Sequence, residues 1–548
     1  MTITTQWYPP GLPTSLTYPD APVGSILAAA AARYGDRIAF LHGEDHLTFA
    51  DTWRAACRFA NALREHGIGR GSTVALHLPN CLAYPVAYYG TLLSGATFSP
   101  ANPLLPPHDL AAQLADCEAA AVVTFGPVAG ALAQADVPLV LVDRPTTDDQ
   151  TDFAAFHRDA PETPPDAGLD VHTDLAHLAY TGGTTGRSKG VRLPHRNVVV
   201  NTLQYACWGT GSVPVLDDAG HPTLDQTGPA DEWPVRLGTG IGINLTPWFH
   251  AMGTIGALNV AVATGGTVVL HDLFDPPAYV ADAERLRVTS MSGAPALFAA
   301  LLACPQFHTA DLSSVRTVTS GAAPLAREMI NALQRRLPDA VIAEGYGLTE
   351  VTMGATLSPS WRSGTRKVGS VGVPIFDTEV KVVPPEGGEE PLPPDTPGEV
   401  CIRGPQVMTG YHNRPEETAA TLVDGWLHTG DIGTIDDDGY LSIVDRKKDM
   451  LIYKGYNVYP RELEELLVAL PEVAAAAVVG RRTAEVGELP VAFVVRAQGH
   501  DVTAEELLER VNGQVVPYKR VRELRFVEQI PMSAAGKVLK RELREQLT

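Results

Sequence analysis

The sequence predicts an α/β fold with two domains. The large amino-terminal domain has mainly parallel sheets, flanking helices and a smaller β region, and the small carboxy-terminal domain is α+β. Helix-like and strand-like segments alternate as far as about residue 370, which is typical of parallel sheets. Strands and turns then alternate, and a separate set of helices and strands follows residue 445. We therefore place the boundary at 445–449, between domains of 1–445 and 446–548.

The first 180 residues supply most of the alternation. Residues 49–67 have apolar positions at helical spacing and end at Gly67, which predicts a helix. The segments that follow are a strand, a helix and further strand-like stretches: STVALHLP, AYPVAYYGTLLSG, ATFSPANP, AAQLADCEAAAVVTF and VPLVLVD. Residues 144–168 are rich in Pro and Asp and are predicted to form a surface connection.

The alternation continues after residue 190. Residues 211–234 are polar and turn-rich, so we expect an exposed excursion of unassigned role. Residues 258–270 predict a helix end that leads into a buried strand. The next three predictions are a strand running into a turn, a helix, and a strand running into a glycine-containing turn: SSVRTVTSGAAPL, AREMINALQRRLP and AVIAEGYGLTE.

The last part of the chain changes character. GTIDDDGYLSIVDR carries Asp-Gly turn chemistry between two alternating runs and predicts a hairpin. The small domain is then predicted to contain a helix, two strands and two more helices: PRELEELLVALP, VAAAAVVG, PVAFVVRA, AEELLERVNGQV and KVLKRELREQL.

Composition limits the class of protein. The 548 residues are 45% hydrophobic and 19% charged, as in globular proteins. The formal net charge of −21 argues against a general nucleic-acid binder but allows a local basic site for an anion such as ATP. The six cysteines are far apart, which fits reduced thiols in a cytoplasmic protein. No signal peptide is recognised and no apolar run reaches the ~20 residues of a membrane helix.

One loop carries the first chemical signal. Residues 180–190 read YTGGTTGRSKG and follow an apolar strand-like stretch. Backbone N–H groups beside small residues can converge on an anion, and Lys189 would add a positive charge. The spacing differs from G-x-x-x-x-G-K-[ST] and from G-x-G-x-x-G. A flexible surface turn is the alternative.

Four later motifs favour the phosphate-binding interpretation: EGYGLTE (344–350), WLHTGDIG (426–433), DRKKDMLIYKGYNVYPRELE (445–464) and PMSAAGKVLKREL (531–543). With the loop at 180–190, they resemble in order the motifs of the adenylate-forming superfamily. Within it the sequence is most similar to fatty acyl-CoA and aryl-CoA ligases.

The resemblance implies a two-step ligase. An AMP-binding domain, residues 1–445, would form an acyl-adenylate from a carboxylic acid and Mg²⁺-ATP and release pyrophosphate. A mobile lid domain, residues 446–548, would then rotate so that the thiol of coenzyme A displaces AMP. Both steps depend on positioning and on neutralising phosphate charge.

The resemblance assigns the phosphate loop first. Its members would hold the β- and γ-phosphates: Thr181, Gly183, Thr184, Thr185, Gly186 and Lys189. The chain departs from the family pattern twice, with Gly182 where Ser is usual and Ser188 where Pro is common. Since the first change removes a hydroxyl donor, we expect weaker phosphate contact or a looser loop.

The EGYGLTE and SGAAPL segments would form the nucleotide wall. Tyr346 would stack on adenine beside Gly347, Thr349 would bond the α-phosphate, and Glu350 would bind magnesium, which prefers carboxylate oxygen. A solvated surface carboxylate is the alternative for Glu350. The adenine wall and the acyl pocket would include Gly321, Ala322, Ala323 and Pro324.

The remaining assignments concern the ribose, the hinge and the acyl site. Asp431 would accept hydrogen bonds from the ribose, and Arg446 would make a second ribose or phosphate contact. Lys448 would be the hinge, Gly455 would line the pantetheine tunnel, and Lys537 would catalyse adenylation. For Lys448 and Lys537, ordinary surface lysines are the alternative. His250 would gate the acyl site or simply be packed, and the pocket candidates are Met252, Gly253 and Met353.

Several questions stay open at this point. The phosphopantetheine arm of an acyl carrier protein presents the same thiol as coenzyme A, so an acyl-AMP ligase of a natural-product pathway is an alternative. An inactive acyl-nucleotide binder is disfavoured because the key charged residues are all present, and a luciferase is disfavoured further. The acid itself, fatty or aryl, and the oligomeric state are not specified, although dimers occur in the family.

Overall fold

The computed structural model describes residues 8–181, 188–321, 325–454, 456–483, 485–532 and 538–547. The described residues form two compact units. The larger unit contains those within 1–181, 189–380 and 402–427, and the smaller contains Ser188 and those within 381–401 and 428–548. The α/β class and the presence of a smaller carboxy-terminal domain agree with the sequence prediction.

The helices, in chain order, are α1 Gly24–Tyr34, α2 Phe49–Glu65, α3 Ala83–Ser94, α4 Pro107–Asp116, α5 Phe153–His157, α6 His195–Thr210, α7 Val260–Ala263, α8 Pro276–Arg285, α9 Pro295–Ala303, α10 Pro305–Thr309, α11 Arg327–Arg336, α12 Pro415–Thr421, α13 Pro460–Val468, α14 Ala504–Asn512 and α15 Lys540–Glu545. There are also 3₁₀ segments and one π-helical segment: Gly126–Gln134, Thr349–Val351, Pro517–Lys519 and, as the π-helix, Met252–Asn259.

The strands are β1 Ile38–His42, β2 Asp45–Thr48, β3 Thr73–His77, β4 Thr97–Pro100, β5 Ala119–Phe125, β6 Leu139–Asp143, β7 Leu175–Tyr180, β8 Gly190–Pro194, β9 Ser212–Leu216, β10 Pro222–Gln226, β11 Ile241–Asn244, β12 Thr267–Leu270, β13 Ser290–Gly293, β14 Thr317–Ser320, β15 Val341–Tyr346, β16 Thr356–Leu357, β17 Val373–Pro374, β18 Glu379–Val383, β19 Gly398–Arg403, β20 Gly410–Tyr411, β21 Leu422–Val423, β22 Trp426–Ile435, β23 Leu441–Arg446, β24 Leu451–Tyr453, β25 Tyr456–Val458, β26 Val473–Thr483, β27 Gly487–Arg496 and β28 Glu523–Phe526.

The larger unit is built on two sheets with parallel centres. One has the strand order β17-β16-β15-β14-β13-β11-β12-β1-β2, and its strands from β15 to β1 run parallel. The other has the order β20-β8-β7-β4-β3-β5-β6, with β7, β4, β3, β5 and β6 parallel. Helices α8–α11 pack apolar side chains against the first sheet, including Tyr279, Phe298 and Leu333.

The first sheet places several motifs at one edge. In parallel strands all carboxyl ends meet at the same edge, where α/β proteins usually bind ligands. Strand β11 leads toward His250, β14 ends next to Gly321, and β15 ends at Tyr346 next to Gly347. The parallel pairing of these strands therefore gathers segments that are 100 residues apart in sequence.

The smaller unit has a sheet of order β25-β24-β27-β26, with β28 beside β27. Alternate residues of β26 face two different cores. Val478 joins the core formed with Leu463 of α13 and Leu507 of α14, whereas Val479 joins a second core with Leu543 of α15. Helices thus cover both faces, as expected for α+β packing.

A further sheet has the order β18-β19-β22-β21, with β23 paired to β22. Strands β22 and β23 form the predicted antiparallel hairpin, with Ile435 opposite Leu441.

Two sequence expectations were wrong in part. The connection at 144–168 contains α5, and its Phe153 is buried with its ring 4.9 Å from that of Phe59. The excursion at 211–234 forms the β9–β10 hairpin, and its Trp233 is buried against Trp208 and Trp361. A single aromatic residue in a polar stretch does not create a periodic pattern, although its burial anchors the segment.

The cysteines agree with the expectation of reduced thiols, because all six are buried and free. The helix predicted at 49–67 is α2. It begins at a capping box that was not predicted, in which Thr48 and Asp51 satisfy each other's backbone N–H groups. None of the helices in the described ranges combines the length and the hydropathy that a bilayer span requires.

Candidate active site

The phosphate-loop candidate joins two antiparallel strands. Tyr180 at the end of β7 pairs with Gly190 at the start of β8, and the N–H of Thr181 donates to the carbonyl oxygen of Lys189 at 3.0 Å. Thr181 and Lys189 therefore close the base of the loop. The other predicted members, Gly183, Thr184, Thr185 and Gly186, lie outside the described residues, as does the unusual Gly182.

Lys189 leans on an aromatic ring. Its Nζ lies 4.6 Å from the ring centroid of Tyr411, which is a cation–π distance. Its second contact is the carboxylate of Glu417, at 3.8 Å. Tyr411 reaches this place because β20 pairs with β8, so that Tyr411 lies opposite Val191.

Tyr411 also contacts the magnesium-ligand candidate. Its hydroxyl donates to Oε1 of Glu350 at 2.8 Å. Burial, and then the charge of Glu350, raise the pKa of the Tyr411 phenol well above its ordinary value. One tyrosine therefore connects Lys189, beside the second sheet, with Glu350, beside the first. Tyr411 was not among the residues predicted from the sequence.

The EGYGLTE segment comprises the last three residues of β15 and the tight turn that follows them. Tyr346 pairs with Thr356 of β16. A Cβ atom at Gly347 would lie only 1.9 Å from the carbonyl oxygen of Met353, so this position requires glycine. Thr349 and Glu350 lie in the short 3₁₀ segment that follows, and the N–H of Thr352 donates to the Thr349 carbonyl at 2.9 Å. The backbone conformation thus fixes the positions of the Thr349 and Glu350 Cβ atoms.

The SGAAPL segment is tied to the same motif. The buried Glu344 accepts a hydrogen bond from the N–H of Leu325 at 2.9 Å. Gly321 lies at the near end of this segment, whereas Ala322, Ala323 and Pro324 lie outside the described residues. A carboxylate in the first position of EGYGLTE therefore anchors the segment predicted to wall the adenine.

The predicted acyl-pocket residues meet at a π-helix. The Nδ1 atom of His250 accepts the N–H of Met252 at 3.3 Å. Gly253 is packed so tightly that a Cβ atom would lie 1.9 Å from the carbonyl oxygen of Pro247. The Sδ atom of Met252 lies 3.0 Å from where a Cβ atom of Gly321 would stand. π-Helical segments are often found at functional sites.

Met353 approaches the same π-helix from the EGYGLTE side. Its Sδ atom lies 3.1 Å from the Cβ position of Gly256. The neighbouring Gly354 is held by Asn201 of α6, whose amide donates to the Gly354 carbonyl at 3.0 Å and accepts its N–H at 3.1 Å. Sequence reasoning missed Asn201, because an Asn inside a helix carries no motif of its own.

In the smaller unit, the two ribose candidates contact each other. Arg446 Nε lies 2.9 Å from Oδ1 of Asp431, and these residues are opposite one another in β22 and β23. Asp431 is buried while Arg446 is exposed. The Asp431 N–H donates to Thr429 at 3.1 Å. A buried carboxylate held in this way is suited to accept hydrogen bonds from hydroxyl groups.

The hinge candidate is next to a charge network. Lys448 is exposed, and its pKa is lowered first by desolvation and then by the charge of Arg446. The preceding Lys447 forms an ion pair with the buried Glu399 at 2.7 Å, and Glu399 also accepts the N–H of Gly430 at 3.2 Å. Glu399 therefore holds the residues that adjoin both Asp431 and Lys448.

Two further predicted residues, Gly455 and Lys537, lie outside the described part of the chain. Of the residues on either side of Gly455, Tyr453 of β24 pairs with Tyr456 of β25. The residues that flank the Lys537 segment, Met532 and Val538, form an isolated antiparallel bridge.

Comparisons with known proteins identify the family of the chain. The model of the AMP-binding enzyme family matches residues 27–412, and that of the AMP-binding enzyme C-terminal domain matches residues 462–537. A 4-coumarate–CoA ligase 2 of Oryza sativa subsp. japonica is 37% identical over 551 residues, which cover 96% of this chain and 90% of that protein. A long-chain-fatty-acid–CoA ligase of Bacillus subtilis (strain 168) is 33% identical, with coverage of 99% and 97%.

Solved structures show the same similarity. The crystal structure of ATP-bound MatB from Rhodopseudomonas palustris superposes with a TM-score of 0.82 at 29% sequence identity, covering 95% of this chain and 98% of that one. The family model spans most of the chain, and the relatives are covered almost completely. The chain therefore belongs to the AMP-binding enzymes, the adenylate-forming family that its motifs resemble.

Proposed function

We propose that this protein is an ATP-dependent acid–thiol ligase, an AMP-forming acyl-CoA synthetase. It adenylates an apolar carboxylic acid, releases pyrophosphate and passes the acyl group to coenzyme A. The observation that carries the proposal is the contact series from Lys189 through Tyr411 to Glu350. It connects a cation that precedes β8 with a carboxylate in the 3₁₀ segment after β15, and the cation adjoins a loop whose sequence is rich in small residues. Triphosphate and a hard cation require this combination of groups.

The first step joins two negative groups, and the residues serve that need. A carboxylate oxygen of the acid attacks the α-phosphorus of ATP, and pyrophosphate leaves. Lys189 holds the β- and γ-phosphates with the loop, and Thr349 positions the α-phosphate. Glu350 fits magnesium, because Mg²⁺ typically takes one or two carboxylates together with substrate phosphates and water. When bound, the ion would neutralise phosphate charge.

The smaller unit supplies the ribose contacts and the second lysine. Asp431 accepts hydrogen bonds from the ribose hydroxyls, with Arg446 orienting its carboxylate. Lys537 donates to the reacting oxygens during adenylation, and a rotation about Lys448 then admits the thiol past Gly455. The thiol sulfur attacks the acyl carbon, and AMP leaves with the oxygen that joined it to the acyl group.

The acid is proposed to be apolar, aryl or fatty. Two methionine sulfurs lie close to two glycines in the region of the predicted pocket, Met252 near Gly321 and Met353 near Gly256. Thioethers are polarizable and adapt to flat or flexible apolar groups. The similar proteins named for 4-coumarate and for long-chain fatty acids agree with both possibilities. A cytoplasmic location stays a prediction from the spacing of the cysteines.

A panel of carboxylic acids tests this proposal. Purified enzyme is mixed with Mg²⁺-ATP and benzoates, cinnamates or fatty acids of graded length, and acid-dependent pyrophosphate–ATP exchange is measured. Each active acid is then offered coenzyme A or a holo acyl carrier protein, and the products are weighed by mass spectrometry. We expect exchange with an apolar acid and an acyl-CoA product. If only the carrier protein is loaded, the acceptor is the carrier protein and not coenzyme A. If no acid supports pyrophosphate–ATP exchange, the proposal is wrong.

A further inference from the structure

Tyr411 makes two contacts that the predicted site does not account for. Its ring faces the Lys189 ammonium at 4.6 Å, and its hydroxyl donates to Glu350 at 2.8 Å. The two contacts use different parts of the side chain. The ring contact requires only an aromatic face, whereas the contact with Glu350 requires the oxygen. Each can therefore be removed separately.

The backbone holds Tyr411 where both contacts can form. Its N–H donates to Oγ1 of Thr418 at 2.9 Å, and the residue lies opposite Val191 in the β20–β8 pair. Gly410 has a φ of 139°, and a Cβ atom there would lie 2.7 Å from Cγ2 of Thr418. The side chain itself is buried. Tyr411 is thus a buried residue whose backbone position is fixed by strand pairing and by the hydrogen bond to Thr418.

The chemistry of the phenol suits a position beside a cation site. The hydroxyl is a hydrogen-bond donor, and the Glu350 oxygen that it contacts at 2.8 Å is an acceptor. A donor on Oε1 of Glu350 restricts the rotation of that carboxylate, which reduces the entropy lost when it binds an ion.

We propose that Tyr411 is a positioning residue that places the phosphate-binding Lys189 with its ring and the cation-binding Glu350 with its hydroxyl. This inference rests on the proposed function of the same site. It predicts that the two roles separate in two variants. Tyr411→Phe keeps the ring and loses only the restraint on Glu350, and Tyr411→Leu loses both.

Binding measurements test the two roles without turnover. Mn²⁺ binding is measured by electron paramagnetic resonance in the presence of the β,γ-imido analogue of ATP, and ATP binding without metal is measured by calorimetry in EDTA. For Tyr411→Phe we expect Mn²⁺ to bind about tenfold more weakly, with metal-free ATP affinity within about twofold of the wild type. For Tyr411→Leu we expect, in addition, about fivefold weaker metal-free ATP binding.

A matched control separates positioning from general destabilisation. Tyr18 donates to Asp377 at 2.6 Å in the same larger unit, so Tyr18→Phe removes a similar tyrosine–carboxylate hydrogen bond away from the site. Tyr18→Phe should leave both affinities unchanged. Combined with Glu350→Gln, the Tyr411→Phe change should have no further effect on Mn²⁺ binding, because the two residues act as one unit.

The outcomes are distinguishable. If wild-type enzyme binds Mn²⁺ with the analogue and Tyr411→Phe binds it equally well or more tightly, the inference is wrong while the proposed function stands. Full additivity with Glu350→Gln would also overturn it. If the wild type binds neither nucleotide nor ion, the proposed function itself fails. Thermal unfolding of each variant shows whether a substitution prevents folding. If Tyr411→Phe or Tyr411→Leu does not fold, the same binding measurements are made on Tyr411→Trp, which keeps an aromatic ring and loses the hydroxyl.

Discussion

A buried histidine in the larger unit should make that unit sensitive to acid. His177 of β7 is buried, and its Nε2 lies 2.8 Å from the hydroxyl of Tyr88. Asn259, at the end of the π-helix, donates to the same hydroxyl at 2.8 Å and accepts from Tyr89 at 2.9 Å. The Tyr88 proton is therefore directed at His177, which must be neutral to accept it. Burial, and then the charge of His195, lower the pKa of His177 to about 3.

The size of the effect follows from this pKa. An unfolded histidine titrates near pH 6.5, so the contribution of neutral His177 to stability is complete above that pH and is lost as the pH falls toward about 3. Between pH 7.5 and 5 the loss is about 2 kcal/mol. Three more buried histidines, whose pKa is lowered to about 4, act in the same direction: His77, His157 and His195. The half-buried Asp143, whose pKa is raised first by desolvation, opposes them.

The assay compares the wild type with His177→Gln, which can accept the Tyr88 proton but does not titrate. Urea unfolding is followed by tryptophan fluorescence, because every described tryptophan lies in the larger unit. The stability advantage of the wild type over the variant should shrink by about 2 kcal/mol from pH 7.5 to pH 5. The same change at the exposed His46 is the control. A difference between wild type and His177→Gln that does not vary with pH would refute the reasoning.

Three further predictions concern the site. In the pyrophosphate–ATP exchange assay, Gly347→Ala should reduce adenylation at least ~100-fold, because the new Cβ would clash with the Met353 carbonyl. The control is Gly209→Ala, which should leave the exchange rate unchanged because the added Cβ would have no neighbour within 4 Å. Arg446→Ala should raise the KM for ATP, measured from initial rates, by about tenfold because the ion pair with Asp431 is lost. Arg541 is exposed, and as a control Arg541→Ala should leave this KM unchanged. Lys537→Ala should slow adenylation roughly 10²–10³-fold but spare thioester formation from supplied acyl-AMP, and equal loss in both half-reactions would contradict domain alternation.

Local patterns in the sequence were sufficient for most of the fold. The helical spacing of residues 49–67 predicted α2, which ends at Glu65, and the Asp-Gly turn predicted the β22–β23 hairpin. Such signals depend only on neighbours along the chain. The resemblance of the motifs then indicated the family, because several short segments appear in a fixed order.

The residues that sequence analysis missed depend on distant pairing. Tyr411 meets Glu350 only because β20 pairs with β8, and no pattern around Tyr411 specifies that register. The Asn201 side chain donates a hydrogen bond to the Gly354 carbonyl, and these residues are 153 positions apart in the sequence. Long-range contacts of this kind decide the geometry of the site while leaving no local signal.

The most direct test of the central claim follows one oxygen atom. An active acid labelled with ¹⁸O at both carboxylate oxygens is converted with ATP and coenzyme A, and the AMP and phosphate products are weighed. If a carboxylate oxygen attacks the α-phosphorus and AMP then leaves the acyl carbon, each AMP carries one ¹⁸O and neither pyrophosphate nor orthophosphate is labelled. Label in orthophosphate, or AMP without label, would contradict the assignment of this chain as an acyl-adenylate-forming ligase.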